Sequence, residues 1–403
     1  MSDPASDSEP RAWDGRRTLI VLLAVALALR LGWALSRPVN EATIRALPDQ
    51  REYLELGRNL LAGRGLVMHD ERLDTDVHAF RTPGYPLWIA ACGGSVRAVR
   101  AVQALLDTST VLAVFILARR WLDQRGSVAA AALVVFNPYL VYFTGLILSE
   151  TLFIALLAWG MALLCQRGNR WILGAAILAL SVLVRPSALL LGPLLATVSA
   201  VPRWSWARPT AVAALTLIVL MPWAWMNQRV MGAWVWTSTN SGFTMYDGFN
   251  PKATGASDQS FVVAMKPTLL GMSEIERSRY LNSLAWEFMR ENPGRVIQLA
   301  FAKVARTWSP IPLSHEYGGD PKLVVVALLY TVPLFALILA GVWLAPIPRP
   351  AKVFLLLPAV YFTVAHAASV GSLRYRIPAD VPMTIIAAGV VECRKNKHLA
   401  SPI

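Results

Sequence analysis

The chain has few charged residues and few cysteines. Only 16% of its 403 residues are charged, 55% are hydrophobic, and the mean hydropathy is +0.47. This composition is too apolar for ordinary soluble domains. The three cysteines, Cys92, Cys165 and Cys393, lie far apart and form no disulfide framework or metal-type spacing. The composition therefore predicts a polytopic membrane protein.

Acidic residues are scarce as well. There are 25 Asp and Glu against 38 Lys and Arg, which gives a formal net charge of +13. In a soluble protein this surplus would suggest a nucleic acid partner. Much of it lies in short loops between apolar runs, where positive charge sets membrane orientation. We therefore expect no nucleic acid partner.

Long apolar runs are the main positive feature of the sequence. Several approach the roughly 20 residues needed to cross a bilayer, so the sequence predicts about ten crossings. No small-residue cleavage site follows the first run before Arg37, so we expect a retained first helix rather than a secretory signal. The runs are 18–35, 99–118, 127–144, 147–164, 171–184, 187–200, 209–226, 324–344, 353–369 and 377–391.

The short connections predict the orientation. With the N-terminus in the cytoplasm, each short internal connection carries at least two positive charges, as the positive-inside rule requires. Two long segments, 37–97 and 227–320, then lie outside. We expect an N-terminal membrane module, 1–226, that includes the first outer loop, then the outer loop 227–320 and C-terminal membrane helices, 321–403. The internal basic connections are 119–125, 167–170, 203–208, 349–352 and 394–397.

The two outer segments are predicted to carry interfacial helices. Residues 49–61 place apolar side chains at helical spacing, which is typical of a helix lying along the membrane surface. Ser273 and Glu276 form a capping-box pattern that opens a second helix. An amphipathic stretch, 295–308, follows the break at Pro293 and Gly294.

Several arginines lie on the predicted extracytoplasmic side, where the positive-inside rule predicts few Lys or Arg residues in short loops. They share that side with carboxyl groups, and this combination indicates an anion site. Glu150 lies near the outer end of a span, where a carboxylate is costly unless it is paired or faces water. The outer residues singled out are Asp49, Glu52, Arg81, Arg185, Arg374 and Arg376.

Short motifs along nearly the whole chain resemble, in order, landmarks of bacterial GT-C glycosyltransferases. They are most similar to the branch that includes protein O-mannosyltransferases and lipid A aminoarabinose transferases. One departure is that Asp49 is followed by Gln50 and Arg51, so the next carboxylate is Glu52. The motifs are PDQREYLELGRNLLAGRG (48–65), FRTPGYPL (80–87), LSETLF (148–153), RPSALL (185–190), STNSGFTMYDGFNPKATG (238–255), NPGR (292–295) and RYRIP (374–378).

The resemblance implies a fold and an activity. The fold is an all-α polytopic, GT-C-like bundle of about ten transmembrane helices in the bacterial inner membrane. The implied enzyme transfers a sugar, with inversion, from a polyprenyl-phosphate donor to a protein, lipid or glycan acceptor at the extracytoplasmic face. Arginine suits such a site because it stays charged and grips phosphate with two parallel hydrogen bonds.

The resemblance assigns the carboxylates to catalysis. Asp49 takes the position of the first-loop acidic residue and is the expected base that removes the acceptor proton. Glu52 is expected to orient a partner of Asp49 or to bind acceptor, and Glu150 to have an active-site or arginine-orienting role. The alternatives are a helix cap for Asp49, a solvated helix face for Glu52 and snorkelling for Glu150.

Four arginines are expected at the donor phosphate: Arg81, Arg374, Arg376 and Arg185. If Arg374 and Arg376 lie in an extended segment, alternation points both the same way. The alternatives are a loop anchor for Arg81, lipid headgroup contact for the pair, and a structural role for Arg185.

Neutral hydrogen-bonding groups are expected to bind the sugar or the acceptor. His315 and His366 are isolated in the sequence and are interpreted as structural. No metal constellation accompanies them, and arginines can stabilise a departing monophosphate without one, although the sequence leaves divalent metal binding open. The expected sugar- and acceptor-binding residues are Tyr53, Tyr85, Asn240, Tyr246 and Asn250.

Two other classes of function stay open. A lipid-linked sugar flippase would bind the same carrier without transfer chemistry, and a scaffold would present such lipids to a partner. Long outer loops that carry Asp49 favour the enzyme, because transporters usually place ionisable residues at mid-membrane.

Overall fold

The computed structural model describes residues 15–166, 168–199, 206–313 and 320–392. His315 and Cys393 lie outside these ranges. In the described chain nearly every element is a helix, and one two-stranded antiparallel hairpin pairs Met68 with Val77. This agrees with the predicted all-α class.

The first half of the chain contains ten α-helices and the hairpin within the described residues. They are α1 (Gly15–Ser36), α2 (Glu41–Arg45), α3 (Pro48–Leu61), β1 (Met68–Asp70), β2 (Thr75–Val77), α4 (Gly84–Ala91), α5 (Val96–Ala118), α6 (Gln124–Val135), α7 (Pro138–Thr144), α8 (Glu150–Leu164), α9 (Arg170–Val184) and α10 (Leu191–Ser199), with a 3-10 turn at Pro186–Ala188.

The second half begins with one long helix, continues with short helices and ends with three apolar ones. They are α11 (Ala207–Met231), α12 (Asn240–Gly248), α13 (Phe261–Ala264), α14 (Lys266–Leu270), α15 (Glu274–Glu291), α16 (Pro293–Thr307), α17 (Pro321–Leu344), α18 (Arg349–Ala367) and α19 (Ile377–Ala388), with a 3-10 turn at Leu373–Tyr375.

All ten predicted apolar runs are helical, but they differ in length. The helices α1, α5, α11, α17 and α18 are each long and apolar enough to cross a membrane. The pair α6 and α7, bent by 50°, makes a sixth crossing if it is one span. The apolar helices α8, α9, α10 and α19 are shorter, so length and composition alone support five or six of the ten crossings.

Local chemistry explains several helix ends. Ser95 and Asp123 cap α5 and α6 by accepting hydrogen bonds from backbone N–H groups. Gly232 ends α11 in the left-handed conformation that favours glycine. The predicted capping box of Ser273 and Glu276 is confirmed at the start of α15.

The two outer segments share a hydrophobic core. Leu56 of α3 and Met68 of β1 pack in one cluster with Phe243 of α12 and Leu281 of α15. Seven of the fourteen residues of α3 are buried by protein, so one side of this helix packs against the rest of the chain. The two segments therefore pack against each other through this shared core.

The second outer segment also packs closely against the loop between α18 and α19. The Gly371 N–H donates to the Gly255 carbonyl over 2.9 Å. A Cβ on Gly248 would lie 2.0 Å from the Ser369 carbonyl oxygen. This close backbone packing holds the turn that carries Arg374.

Candidate active site

Six charged side chains form one continuous chain of alternating sign. It runs from Glu52 through Arg81, Asp49, Arg374 and Glu150 to Arg185. The nitrogen–oxygen distances along it are 2.5, 2.6, 3.2, 2.5 and 2.8 Å. All six residues were singled out from the sequence, and the fold brings them together from positions up to 325 residues apart.

Each member of this charge chain lies at the end of an element or in a tight loop. Asp49 lies in the first turn of α3 and Glu52 follows at the start of the second turn, and Glu150 begins α8. Arg185 follows α9, and Arg374 lies in the 3-10 turn before α19. Element ends leave these side chains free to converge at one place on the bundle.

Asp49 lies at the centre of the charge chain. One carboxylate oxygen accepts from Arg81 and the other from Arg374. Burial alone would raise its pKa, but the two guanidinium groups outweigh burial and hold the pKa of Asp49 well below its usual range. The capping alternative is wrong, since Leu47 is the N-cap of α3 and no side chain caps that end.

The three carboxylates differ in access. The Asp49 side chain is 29% exposed, Glu52 is 10% exposed and Glu150 is fully buried. Burial, and secondarily the charge of Asp49, raise the pKa of Glu52 although Arg81 opposes them. Asp49 is therefore the carboxylate that an incoming molecule reaches first. Glu150 holds Arg374 and Arg185 in place, and neither the solvated-face nor the snorkelling alternative fits these positions.

Two tyrosines predicted to bind substrate instead support Arg81. The Arg81 guanidinium lies over the Tyr53 ring at 5.3 Å, and Tyr53 packs edge-on against Tyr85. The Tyr85 side chain is fully buried, and its hydroxyl donates to Gln103. Their placement does not support contact with the sugar or the acceptor.

Tyr375 completes the wall of the site next to Arg374. Its ring stacks on His366 with centroids 3.6 Å apart, and the Arg185 guanidinium lies 6.0 Å from its centroid. His366 is buried and supports this ring, which agrees with the structural role predicted for it. The sequence motif contained Tyr375, but only the stacking identifies it as part of the site.

The predicted pairing of Arg374 with Arg376 is wrong. Their segment is a 3-10 turn leading into a helix rather than an extended strand, so the two side chains point apart. Arg376 is buried, pairs with Asp380 and donates to the Ser309 carbonyl. It therefore does not reach the charge chain beside Asp49.

The three polar residues near α12 that were predicted to bind the sugar or the acceptor each have a different local environment. The Asn250 side chain donates to the carbonyls of Tyr246 and Asp247 and accepts from the Lys252 N–H, so it closes the end of α12. Tyr246 packs edge-on against Phe261. Asn240 begins α12, and its side-chain oxygen is buried without a hydrogen-bond partner in the described chain. None of these contacts joins the charge chain.

An apolar groove opens beside Arg374. Its walls come from α7, the start of α17 and the loop before the 3-10 turn, and Arg306 and Arg374 are its charged lining residues. Within the described residues the Arg306 Nε is buried and has no hydrogen-bond partner. Sequence reasoning missed Arg306, although it lies on the predicted amphipathic stretch. The lining residues are Pro138, Tyr139, Tyr142, Phe143, Arg306, Pro312, Leu313, Leu323, Val326, Ala327, Gly371, Ser372, Leu373 and Arg374.

Metal-ligating side chains do not gather in the described ranges: no group of three His, Cys, Asp or Glu residues there is arranged to hold a metal ion. The carboxylates of the charge chain are each paired with arginine instead.

Sequence comparison supports a glycosyltransferase relationship. A family model described as dolichyl-phosphate-mannose-protein mannosyltransferase matches residues 85–226. This match covers α4 to α11 but neither Asp49 nor Arg374. A search of curated proteins finds no match.

Solved oligosaccharyltransferase structures share the fold at low identity. The archaeal oligosaccharyltransferase AglB from Archaeoglobus fulgidus, in complex with an inhibitory peptide and a dolichol-phosphate, matches with a TM-score of 0.55 and 12% identity over 96% of this chain and 51% of that chain. The same organism's oligosaccharyltransferase tethered with an acceptor peptide matches with a TM-score of 0.55 and 14% identity over 96% and 50%. ArnT from Cupriavidus metallidurans, bound to undecaprenyl phosphate, matches with a TM-score of 0.41 and 15% identity over 92% and 76%.

The comparisons confirm the predicted helical fold class, because the chain shares the fold of the oligosaccharyltransferase structures and the mannosyltransferase family model matches residues 85–226. The chain spans about half the length of the oligosaccharyltransferase chains that it matches. The resemblance predicted from the ordered motifs is therefore confirmed at the level of the fold and of the matching family model.

Proposed function

We propose that this GT-C-like chain is a membrane glycosyltransferase that takes a sugar from a polyprenyl-phosphate carrier and transfers it to a hydroxyl-bearing acceptor. The proposal depends on Arg374. Its guanidinium contacts the accessible Asp49 carboxylate and also lines the apolar groove. A base and a phosphate-binding cation thus meet where a lipid tail would enter. We place the reaction at the extracytoplasmic face of a bacterial inner membrane.

The groove suits the donor. Apolar side chains along its walls would take the isoprenoid tail, and Arg306 and Arg374 would take the phosphate. Guanidinium groups grip phosphate oxygens through parallel, charge-assisted hydrogen bonds. The likeness to a structure that contains a dolichol-phosphate supports this class of carrier. Arg185 and Arg81 lie farther along the charge chain and would hold the carboxylates in position.

The proposed step is a single displacement with inversion. The acceptor oxygen attacks the anomeric carbon as the bond to the phosphate oxygen breaks, and the electron pair of that bond leaves with the polyprenyl phosphate. Asp49 takes the proton of the acceptor hydroxyl. Because negative charge grows on the departing phosphate, preorganised guanidinium groups stabilise the transition state more than the ground state.

Donor binding would also prepare the base. In the charge chain Asp49 is a weak base, because Arg81 and Arg374 both stabilise its ionised form. A donor phosphate that draws Arg374 toward itself weakens one of these contacts and makes Asp49 more basic. Coupling of this kind would activate the acceptor only when the donor is present.

The test is transfer from a synthetic polyprenyl-phosphate sugar by purified protein in detergent. Asp49→Asn should lower kcat by about 10²- to 10⁴-fold, the usual contribution of a general base, while donor binding persists. The matched control is Glu55→Gln, which makes the same change one and a half turns farther along α3 in a carboxylate that pairs with Arg51.

Each outcome of this test is informative. Full transfer by Asp49→Asn removes Asp49 from the base role. Donor binding by the unmodified chain without turnover under any condition contradicts the enzyme and favours a flippase. In whole cells, a scaffold predicts that neither Asp49→Asn nor Arg374→Gln changes glycan formation.

A further inference from the structure

The break between α6 and α7 leaves two backbone carbonyls without their helical donors. Pro138 has no N–H to offer the Val134 carbonyl, which accepts a 3.3 Å bond from the Asn137 N–H instead of the usual helical bond. The Tyr139 N–H donates to the Asn137 side chain, so the Val135 carbonyl also loses its usual donor. An unsatisfied carbonyl is costly inside a membrane.

Arg30 of α1 supplies the missing donors. Its two terminal nitrogens donate to the carbonyls of Val134 and Val135, each over 3.0 Å. Its Nε pairs with Asp107 of α5, and both side chains are fully buried. One guanidinium therefore hydrogen-bonds the Asp107 carboxylate and both carbonyls that lack a helical donor. The planar fork of arginine allows this geometry.

This pair has no contact with the reacting groups proposed above. The described hydrogen bonds of the Arg30 guanidinium go to Asp107 and to carbonyls of α1 and α6, not to the charge chain. A buried ion pair is a weak source of stability, and replacing one by apolar residues of similar size is often neutral. A role in specifying conformation therefore explains this pair better than a role in stability.

The conformation that it specifies is the direction of α7. The bend at the break is 50°, and beyond it Pro138, Tyr139, Tyr142 and Phe143 form one wall of the apolar groove. We propose that Arg30 and Asp107 are an intramembrane positioning pair that holds α7 as the wall against which the lipid tail of the donor packs. This inference rests on the proposed function, because it takes the groove to be the carrier's binding site.

Arg30→Lys is the main test variant. It keeps the charge that pairs with Asp107, but an ammonium lacks the planar fork and cannot satisfy both carbonyls in the same geometry. We expect the KM for a long-chain polyprenyl-phosphate sugar to rise roughly tenfold, as loss of one charge-assisted hydrogen bond predicts, with kcat nearly unchanged. A short-chain donor that does not reach α7 should show no such rise.

Two further variants separate positioning from folding. The double variant Arg30→Met with Asp107→Leu removes both charges together, which avoids an unpaired buried charge. Its Tm should fall, because the Val134 and Val135 carbonyls lose a donor, but the chain should still fold and show the same rise in KM. Lys352→Met is the matched control, because Lys352 also donates to a helix carbonyl, that of Val342, but does not line the groove.

Binding and exchange measurements give readouts without turnover. Undecaprenyl phosphate alone should bind about tenfold more weakly to Arg30→Lys, and amide hydrogen exchange in α7 should quicken while α5 stays protected. A wild-type KM for the long-chain donor in both Arg30 variants would overturn the inference. So would equal losses with short- and long-chain donors. If the unmodified chain neither binds the carrier nor transfers sugar, the proposed function fails, and faster exchange confined to α7 would still support the positioning role.

Discussion

Asp49 shows how paired charges restrain the proposed catalytic base. Two guanidinium groups hold its carboxylate in one orientation and keep it ionised, which is also what makes it a poor proton acceptor. Glu150 anchors Arg374 from the other side. In the proposed mechanism the site is thus organised before substrate arrives, and Asp49 would become an effective base only when Arg374 turns to the donor phosphate.

The first prediction concerns the pH dependence of transfer. Arg374→Gln removes a charge that lowers the pKa of Asp49, so that pKa should rise toward or above the usual aspartate value of about 4. Because the base must be deprotonated, the acid limb of kcat/KM should move to higher pH. Loss of a transition-state cation should also lower kcat by about 10²- to 10³-fold.

Profiles of kcat/KM from pH 3 to 7, for the unmodified chain, Arg374→Gln and the control Glu55→Gln, check this expectation. Glu55→Gln should leave the acid limb in place. An acid limb at the same pH in Arg374→Gln and the unmodified chain would mean that Asp49 is not the titrating base.

At the scale of elements, close backbone contacts position the turn that carries Arg374. Gly371 packs on the backbone of α16, and a Cβ there would lie 2.5 Å from both Cα and O of Lys303. Real Cβ atoms do not approach backbone atoms so closely, so one segment would have to move. The second outer segment thereby determines where Arg374 stands relative to Asp49.

The second prediction tests this packing. Gly371→Ala should lower the free energy of unfolding by about 1–3 kcal/mol through overpacking and should displace the 3-10 turn. Thermal unfolding should therefore begin at lower temperature, and the affinity for polyprenyl phosphate should fall. The control is Gly271→Ala, where a Cβ would meet no atom within 4 Å. Equal Tm values and affinities for both variants would contradict the assigned role of Gly371.

At the scale of the whole molecule, the start of α1, the turn before α6 and the end of the described chain meet at one place. The Asp123 N–H donates a hydrogen bond to the Glu392 side chain, so the turn before α6 meets the end of the described chain. A Cβ on Gly15, at the start of α1, would touch Gln124 in the same place. The positive-inside rule predicts that this end, which carries Arg119, Arg120 and Arg125, faces the cytoplasm.

The third prediction tests this orientation by labelling single cysteines in cells. In a background with Cys92, Cys165 and Cys393 changed to Ser, Glu291→Cys should react with a membrane-impermeant maleimide from outside. Arg125→Cys should react only after permeabilisation. Both positions are exposed in the structure, so access to reagent depends on the side of the membrane. The reverse labelling pattern would invert the topology.

The sequence by itself determined the class of fold, the ten apolar helices and the type of residue at the site. Apolar runs have few ways to satisfy their backbone in a membrane, so helices follow from composition. Arg81, Arg185 and Arg374 stood out in the sequence because the positive-inside rule predicts few arginines on their side of the membrane. A charge there is costly unless it has a function.

Only the tertiary structure decided which of these side chains meet. Whether Arg374 or Arg376 faces Asp49 depends on a 3-10 turn held by backbone packing with a segment more than a hundred residues away. The groove beside Arg306 and the pairing of Arg30 with Asp107 likewise arise between distant helices. Periodicity and local spacing carry no information on such long-range contacts, because these depend on how whole elements pack.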